Sequence, residues 1–518
     1  LKVSTPLRIK EKEASTEASA AESVVEQPRN LRAVRLVSSL ATELEKARVR
    51  YCHWKSNEGL AIAPNGEIEL DLLVGRGHVQ TLSEVLARLG FKQARATRAR
   101  QTPGVEDFYG MDDGSQRVVH VHAHYQLVLG DDTTRNFRLP VEEPYLDSAV
   151  LGDVLRIPSP EFEFVLFVIR MVLKHSTWDA IVSLRGSLSK TERRELESLE
   201  SRVDTSTVRA ILGEHLPFLA YATFARCSRA LHPDCPIRQR MRAGRELHKS
   251  LAAHARRPRG IDTPLKLSRR GQWWVQRHLL KQFARKRLAS GGALIAVVGG
   301  DGAGKSSTVG ELCDWLSRYF VVDRVHLGKP PWSVTTAAIK GTIVAGRRLG
   351  GFSSTKVRPY LTIAATTPDR SPSRTWLLWH ALTARDRYRA YVRARRLASN
   401  GRLVICDRFP LRQLSLMDGP ASSWAPIWRD LDPVGERLVN LENRYYQNIK
   451  DPDVLIVLSI DPDIAVQRKT EEDPDFIRAR CSEVANVNWE ETRALVIDAR
   501  HSQDEVLSEV KSAVWSRL

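Results

Sequence analysis

The chain has 518 residues, 42% of them hydrophobic, and carries 79 Lys and Arg against 61 Asp and Glu, for a formal net charge of +18. That length is more than one ordinary core and predicts two to four domains, while the apolar content excludes a wholly disordered polypeptide. The longest apolar runs, 164–169 and 293–298, are too short to cross a bilayer, which excludes a transmembrane helix.

Residues 1–30 are polar, rich in Ala, Ser and Glu, and have no apolar core, so they read as a disordered tail rather than a secretion signal. Residues 31–150 read as a small α/β domain. Leu36, Val37, Leu40 and Leu44 fall at helical spacing, 82–89 is a short helix before Gly90, and YCHW, IELDLLV and RVVHVHAHYQLV are strand-like. Ser159-Pro160-Glu161 is a helix start, and 151–255 reads as a helical domain. Residues 256–290 form a basic linker or helix. Within it, 256–287 holds eleven Arg or Lys against one acid, Asp262, with Trp273, Trp274 and Phe283 interleaved. Such a segment suits an anionic membrane surface or nucleic acid, or is simply a solvated connector. Six scattered cysteines make no metal-type pair, which suits reduced thiols and a cytoplasmic location.

Residues 291–518 alternate strand and helix. Strands are expected at 293–298, 321–327, 402–406, 453–460 and 494–498, with helices at 376–397 and 464–469. This order predicts an α/β domain with a five-stranded parallel sheet flanked by helices, its ligand at the carboxyl ends of the strands. The first strand runs into Gly299, Gly300, Asp301, Gly302, Ala303, Gly304, Lys305, Ser306 and Ser307, which contain the G-x-x-x-x-G-K-[ST] spacing of a phosphate loop. The glycines let backbone N–H groups turn inward around phosphate oxygens, and the following helix points its positive end at them. Lys305 supplies a point charge, and the Ser306 hydroxyl is a Mg²⁺ ligand. Val309, Leu312, Leu316 and Phe320 mark the buried face of that helix.

A strand also runs into Asp407-Arg408-Phe409. A carboxylate at that strand end is placed to hold the Mg²⁺ shell, and Arg408 can grip a phosphate bidentately. Arg387, twenty-one positions before Arg408 in TARDRYRAY, is expected on a helix that returns to this strand, with both arginines facing one acceptor phosphate. The plainer alternatives are a turn salt bridge for Asp407-Arg408 and a solvated helix face for Arg387.

At these residues the chain resembles the thymidylate kinase family of P-loop nucleoside monophosphate kinases. The glycine loop, Asp386-Arg387, Asp407-Arg408-Phe409, Pro452-Asp453, and Asp461-Pro462 through Ala465 and Arg468 stand where that family has its motifs. Val496 to Ala499 is similar to the strand and turn on which the family lays adenine. The resemblance implies an ATP- and Mg²⁺-dependent kinase that passes the γ-phosphate to a small acceptor, dTMP in the family, with Asp301 reaching the acceptor. Gly302 stands where an arginine would lie in some members. The implied substitute is a mobile lid over 467–480, with Arg468, Lys469, Arg478 and Arg480 supplying charge. The family's R-E-P-G-G-type loop is replaced by HLGKPPWSV at 326–334, and the segment after Phe409 reads PLRQLSLMDGP, so the acceptor half departs from the pattern.

Residues 53–92 resemble a remote member of the polymerase-β-like nucleotidyltransferase superfamily. Alternation puts Glu69 and Asp71 on one strand face, a candidate second metal site. The third-acid strand carries His120, His122 and His124 where an aspartate is expected. A degenerate domain that binds a nucleotide-sugar or a partner is the preferred reading, with a polar sheet face and a histidine metal site as alternatives. Fusions of this kind resemble proteins near polysaccharide biosynthesis. The competing functions are therefore a kinase of a nucleotide or non-nucleotide acceptor, an ATP-gated scaffold, and a nucleotidyltransferase. A homodimer is a further candidate assembly.

Overall fold

The structure is a computed structural model that describes residues 34–57, 68–97, 101–176, 187–278, 285–339, 341, 372–420 and 431–518. The expected tail at 1–30 lies outside these residues. None of the described helices is long and apolar enough to cross a membrane, and all six cysteines are free thiols.

The N-terminal sheet has six strands: β1 (Tyr51–His53), β2 (Ile68–Val74), β3 (Lys92–Arg95), β4 (Val105–Asp112), β5 (Arg117–His124) and, from far along the chain, β10 (Arg287–Leu288). Their order is β1-β2-β5-β4-β3-β10, and only β2 and β5 run parallel. The helix Arg35–Lys46 buries Val37, Leu40 and Leu44 in this domain's core, the face expected from their spacing. Short ribbons β6 (Leu127–Leu129) with β7 (Phe137–Leu139), and β8 (Val150–Leu151) with β9 (Arg156–Ile157), lead to the helical domain. Its first helix, Pro160–His175, starts where Ser159 accepts the Phe162 N–H and is buried along most of its length. Helices Lys190–Arg202, Thr205–His215, Tyr221–Arg229 and Ile237–Ser250 pack around it.

The basic segment is more than a connector. The helix Arg259–His278 is docked on the 131–136 loop: Arg270 Nη2 lies 2.6 Å from Asp131, and Arg269 donates to the Thr133 carbonyl. Beyond it, β10 falls inside the expected linker and pairs antiparallel with β3, so it completes the N-terminal sheet.

The C-terminal sheet consists of β11 (Leu294–Gly299), β12 (Val322–His326), β13 (Leu403–Asp407), β14 (Val454–Ser459) and β15 (Ala494–Asp498). All five are parallel, in the order β12-β13-β11-β14-β15, as the alternation of strands and helices predicts. β11 is buried at every position because helices cover both faces. Helices Lys305–Leu316 and Gln503–Arg517 pack on one face, and Arg374–Ser399 and Pro433–Gln447 on the other. The first face also meets the N-terminal sheet: Ala94, Tyr109, Met111 and Val118 share a hydrophobic cluster with Phe320 and Trp515. The two sheets are thus joined by packed side chains.

Candidate functional site

The glycine loop leaves the buried end of β11 in a conformation that needs its glycines. Gly302 and Gly304 have φ of 79° and 81°, a left-handed backbone that costs a residue with a Cβ. Gly299 has φ 154°, and a Cβ there would lie 2.4 Å from the Leu458 carbonyl oxygen. A Cβ on Gly300 would lie 2.5 Å from Cys481 Sγ, so the helix Pro474–Asn486 abuts the loop. The helix Lys305–Leu316 starts directly after Gly304, and Val309, Leu312 and Leu316 form its buried face as their spacing predicts; Phe320, expected on the same face, is buried beyond the helix end, in a bridge with Lys286.

Lys305 folds over the loop, its Nζ donating to the Gly300 carbonyl at 2.6 Å. Burial pushes its ammonium down to about 8, against the attraction of Asp301. Asp301 is itself buried and gathers three cations. Arg480 Nη1 lies 2.5 Å from one oxygen, with Lys469 Nζ 3.6 Å and Lys305 Nζ 3.9 Å from the other. Burial raises this carboxyl, yet Arg480 and the two lysines bring it below the ordinary carboxylate range. Asp301 thus organises the positive charge around the loop.

The expected lid residues divide. Lys469 and Arg480 converge on Asp301, and the Arg480 guanidinium also lies 3.8 Å from the Phe476 ring centroid. Arg468 donates to the Ala499 carbonyl at 2.9 Å, at the turn after β15. Arg478 pairs with the exposed Asp463 and Asp475. The reason is helical: in Pro474–Asn486, positions 478 and 480 lie about 200° apart, so they cannot share a face. Arg480 reaches the glycine loop, and Arg478 does not.

Asp407 ends β13, buried, with Val297 of β11 and His326 of β12 at its level. Arg324 from β12 holds its Oδ2 at 3.1 Å, a partner that sequence spacing did not point to. Arg408 has φ 57°, an uncommon left-handed conformation for a bulky residue, and lines a small cleft with Asp301, Lys305 and Met417. The exposed Ser306 hydroxyl in the first turn of the helix and the Asp407 carboxylate are hard oxygen donors of the kind Mg²⁺ takes.

Arg387 does not lie on a solvated helix face. It is buried on Arg374–Ser399, and its guanidinium is committed to protein: Nε to the Leu327 carbonyl at 2.7 Å, Nη2 to the Gly328 carbonyl at 3.0 Å, Nη1 to the Asp418 carbonyl at 2.8 Å, and Nη1 to the Tyr446 hydroxyl. It therefore pins together the 326–334 and 410–420 segments, where the chain departs from the kinase pattern. Its neighbour Asp386, also buried, accepts from Thr336 Oγ1 at 2.6 Å and from Ser333 N, tying down the end of the first segment.

In the N-terminal sheet, Glu69 and Asp71 lie on one face of β2, as alternation requires. His122 of β5 stands between Asp71 and Asp107, which are its register partners on β2 and β4. The sequence reading missed Asp107, because VEDFYGMD does not alternate simply and β4 was not among the expected strands. Lys55 Nζ lies 2.9 Å from Asp71, and Lys286 Nζ 2.9 Å from Asp107.

A parallel five-stranded sheet with a glycine loop after its central strand and a strand-end carboxylate beside it defines a P-loop class of α/β domain. The chain belongs to the family of the Escherichia coli protein YghR. It is 30% identical over 233 residues to the "uncharacterized ATP-binding protein YghR" of E. coli K12, a match covering 43% of this chain and 86% of that protein. YghR of E. coli O6:H1 matches to the same extent. The "uncharacterized ATP-binding protein YghS" of strain K12 is 25% identical over 238 residues, 43% of this chain and 93% of that protein. No family model matches the chain.

Proposed function

We propose that the C-terminal domain is an ATP-dependent phosphotransferase of the thymidylate kinase-like type, moving the γ-phosphoryl group of ATP to a small acceptor. The observation that carries this reading is the convergence of Lys305, Lys469 and Arg480 on the Asp301 carboxylate beside the glycine loop. Phosphoryl transfer asks a protein mainly for positioning and for charge at the transferring group. Here three cations, from the helix Lys305–Leu316, the end of the helix Pro462–Arg468 and the helix Pro474–Asn486, already stand at the loop. The description of the YghR and YghS relatives as ATP-binding proteins supports ATP as the donor.

In this reading the loop amides cradle the outer phosphates, and Lys305 and Arg480 bear on the transferring group. Arg408, held in its left-handed turn, meets the acceptor side. Ser306 and Asp407 would hold Mg²⁺, which would supply positive charge to offset that of the phosphates. Arg387 acts through the walls it pins, so acceptor choice resides in 326–334 and 410–420. dTMP is the acceptor that the family resemblance suggests, and a phosphorylated or hydroxylated sugar is the alternative that the altered walls favour.

The test is acceptor-dependent ADP formation with Mg²⁺-ATP against a panel of nucleoside monophosphates and sugars. Turnover with one acceptor class supports the proposal. ATP binding with no turnover on any acceptor, coupled to a change in the packing of Phe320 and Trp515 against the N-terminal sheet, favours an ATP-gated scaffold instead. Contact of the basic helix with an anionic membrane surface is a separate proposal. The exposed Trp273, Trp274 and Leu267 support it, and steep salt dependence of vesicle binding tests it.

A further inference from the structure

The face of the N-terminal sheet that carries Asp107, His120, His122 and His124 places nitrogen and oxygen donors together. Asp71 Oδ1 lies 3.4 Å from His122 Nδ1 and 3.4 Å from His124 Nε2, and all three atoms lie within 4.8 Å of one another. A tetrahedral ion with bonds of about 2.05 Å has ligand–ligand edges of about 3.4 Å. Asp71 is 7% exposed and His124 2% exposed; Asp71 Oδ1 is met by the Lys55 ammonium, while His122 Nδ1 and His124 Nε2 are buried without a hydrogen-bond partner of acceptable geometry. Leaving buried polar atoms in that state is costly unless something else meets them.

The second layer has the arrangement that metal-binding histidines use. His122 Nε2 lies 2.7 Å from Asp107 Oδ1, so an imidazole that gives Nδ1 to an ion keeps its proton on Nε2 and donates it to Asp107. Lys286 Nζ, 2.9 Å from the same Asp107, holds that carboxylate in place. Glu69 Oε1 is 3.6 Å from His122 Nδ1 and 3.9 Å from His120 Nδ1, but Glu69 is exposed and would compete for the same His122 nitrogen. A cavity of about 540 Å³ reaches the edge of this cluster, with His122 and Asp107 in its lining.

We propose that Asp71, His122 and His124 form a divalent transition-metal site of the zinc class, with Asp107 as a positioning residue for His122. Two imidazoles and one carboxylate select such an ion over Mg²⁺, which prefers oxygen. Three protein ligands leave a fourth position open. Lys55 Nζ, 2.9 Å from Asp71 Oδ1, has to swing away when the ion enters, so this lysine opposes binding.

The test uses the full chain, free of any affinity tag and dialysed against a chelator, titrated with Co²⁺ alone in the absence of nucleotide. The expected result is one equivalent per chain with the intense visible bands of a tetrahedral site. Asp107→Asn weakens binding by about 10–100-fold. His122→Gln and His124→Gln each abolish the bands, and Lys55→Met tightens binding. Ser306→Ala leaves the bands unchanged, which separates this site from Mg²⁺ at the phosphate loop. If the histidine variants fail to fold by circular dichroism, Lys55→Met and Asp107→Asn decide by their opposite directions. Absence of the bands in the native chain, or bands that persist in a folded His122→Gln, His124→Gln double variant, overturns the proposal.

Discussion

Arg480 and Asp301 meet at 2.5 Å across 179 positions of sequence, bringing the helix Pro474–Asn486 onto the glycine loop. Arg478, two positions earlier, is paired with exposed acids. Arg480→Ala should lower kcat by about 100-fold, the scale seen when one charge-stabilising donor is removed. Arg478→Ala should change it by less than about twofold, since exposed ion pairs contribute little. Steady-state ADP release by the two variants checks this, and equal losses would remove Arg480 from the site.

Lys305→Ala should weaken ATP binding at least about tenfold, read by displacement of a fluorescent nucleotide. The substitution removes the loop's own charge and the bond to Gly300. Unchanged affinity would mean that this loop is not the nucleotide site.

Arg387→Ala should destabilise the chain by about 2–4 kcal/mol in urea unfolding, because the Leu327 and Gly328 carbonyls lose this donor and the Asp418 carbonyl, shared with the Tyr446 hydroxyl, loses the guanidinium. Arg387→Lys should not restore stability, since an ammonium cannot span the same fork. If Arg387 bound the acceptor instead, the alanine variant would raise the acceptor KM with no loss of stability.

The loop glycines separate collision from backbone strain. Gly299→Ala places a Cβ against the Leu458 carbonyl, whereas Gly304→Ala meets nothing within 4 Å and suffers only its φ of 81°. Gly304→Ala should cost about 1–2 kcal/mol, and Gly299→Ala more. Thermal unfolding of both variants checks the order.

Asp131 should give the docked basic helix a pH-dependent contribution. Burial raises its carboxyl, but Thr133, Lys266 and Arg270 together bring it below the ordinary value. A folded pKa below the unfolded one means that the unfolded chain binds the extra proton. The stabilisation is therefore complete above the unfolded value of about 4 and fades as pH falls through the folded one. Asp131→Asn should lower the melting temperature at pH 7, with the gap to the native chain shrinking as pH drops below about 4.

Local order was legible in the residues themselves. Glycines at fixed spacing, a lysine and serine after them, and apolar runs ending in Asp407 specify backbone shape and strand burial within a few neighbours. So the five parallel strands, the loop and its helix all fall within about a residue or two of expectation. The N-terminal pair Glu69 and Asp71 follows from alternation alone. Where each charged side chain spends its hydrogen bonds was decided by tertiary structure, because a guanidinium reaches whichever carbonyl or carboxylate the fold brings near. Arg387 became a pin between two walls, Arg480 rather than Arg478 reached the loop, and Arg324 came to Asp407 from the neighbouring strand. Asp107 met His122 only because β4 and β5 pair in one register. Those contacts join residues far apart in the chain, and no local spacing encodes them.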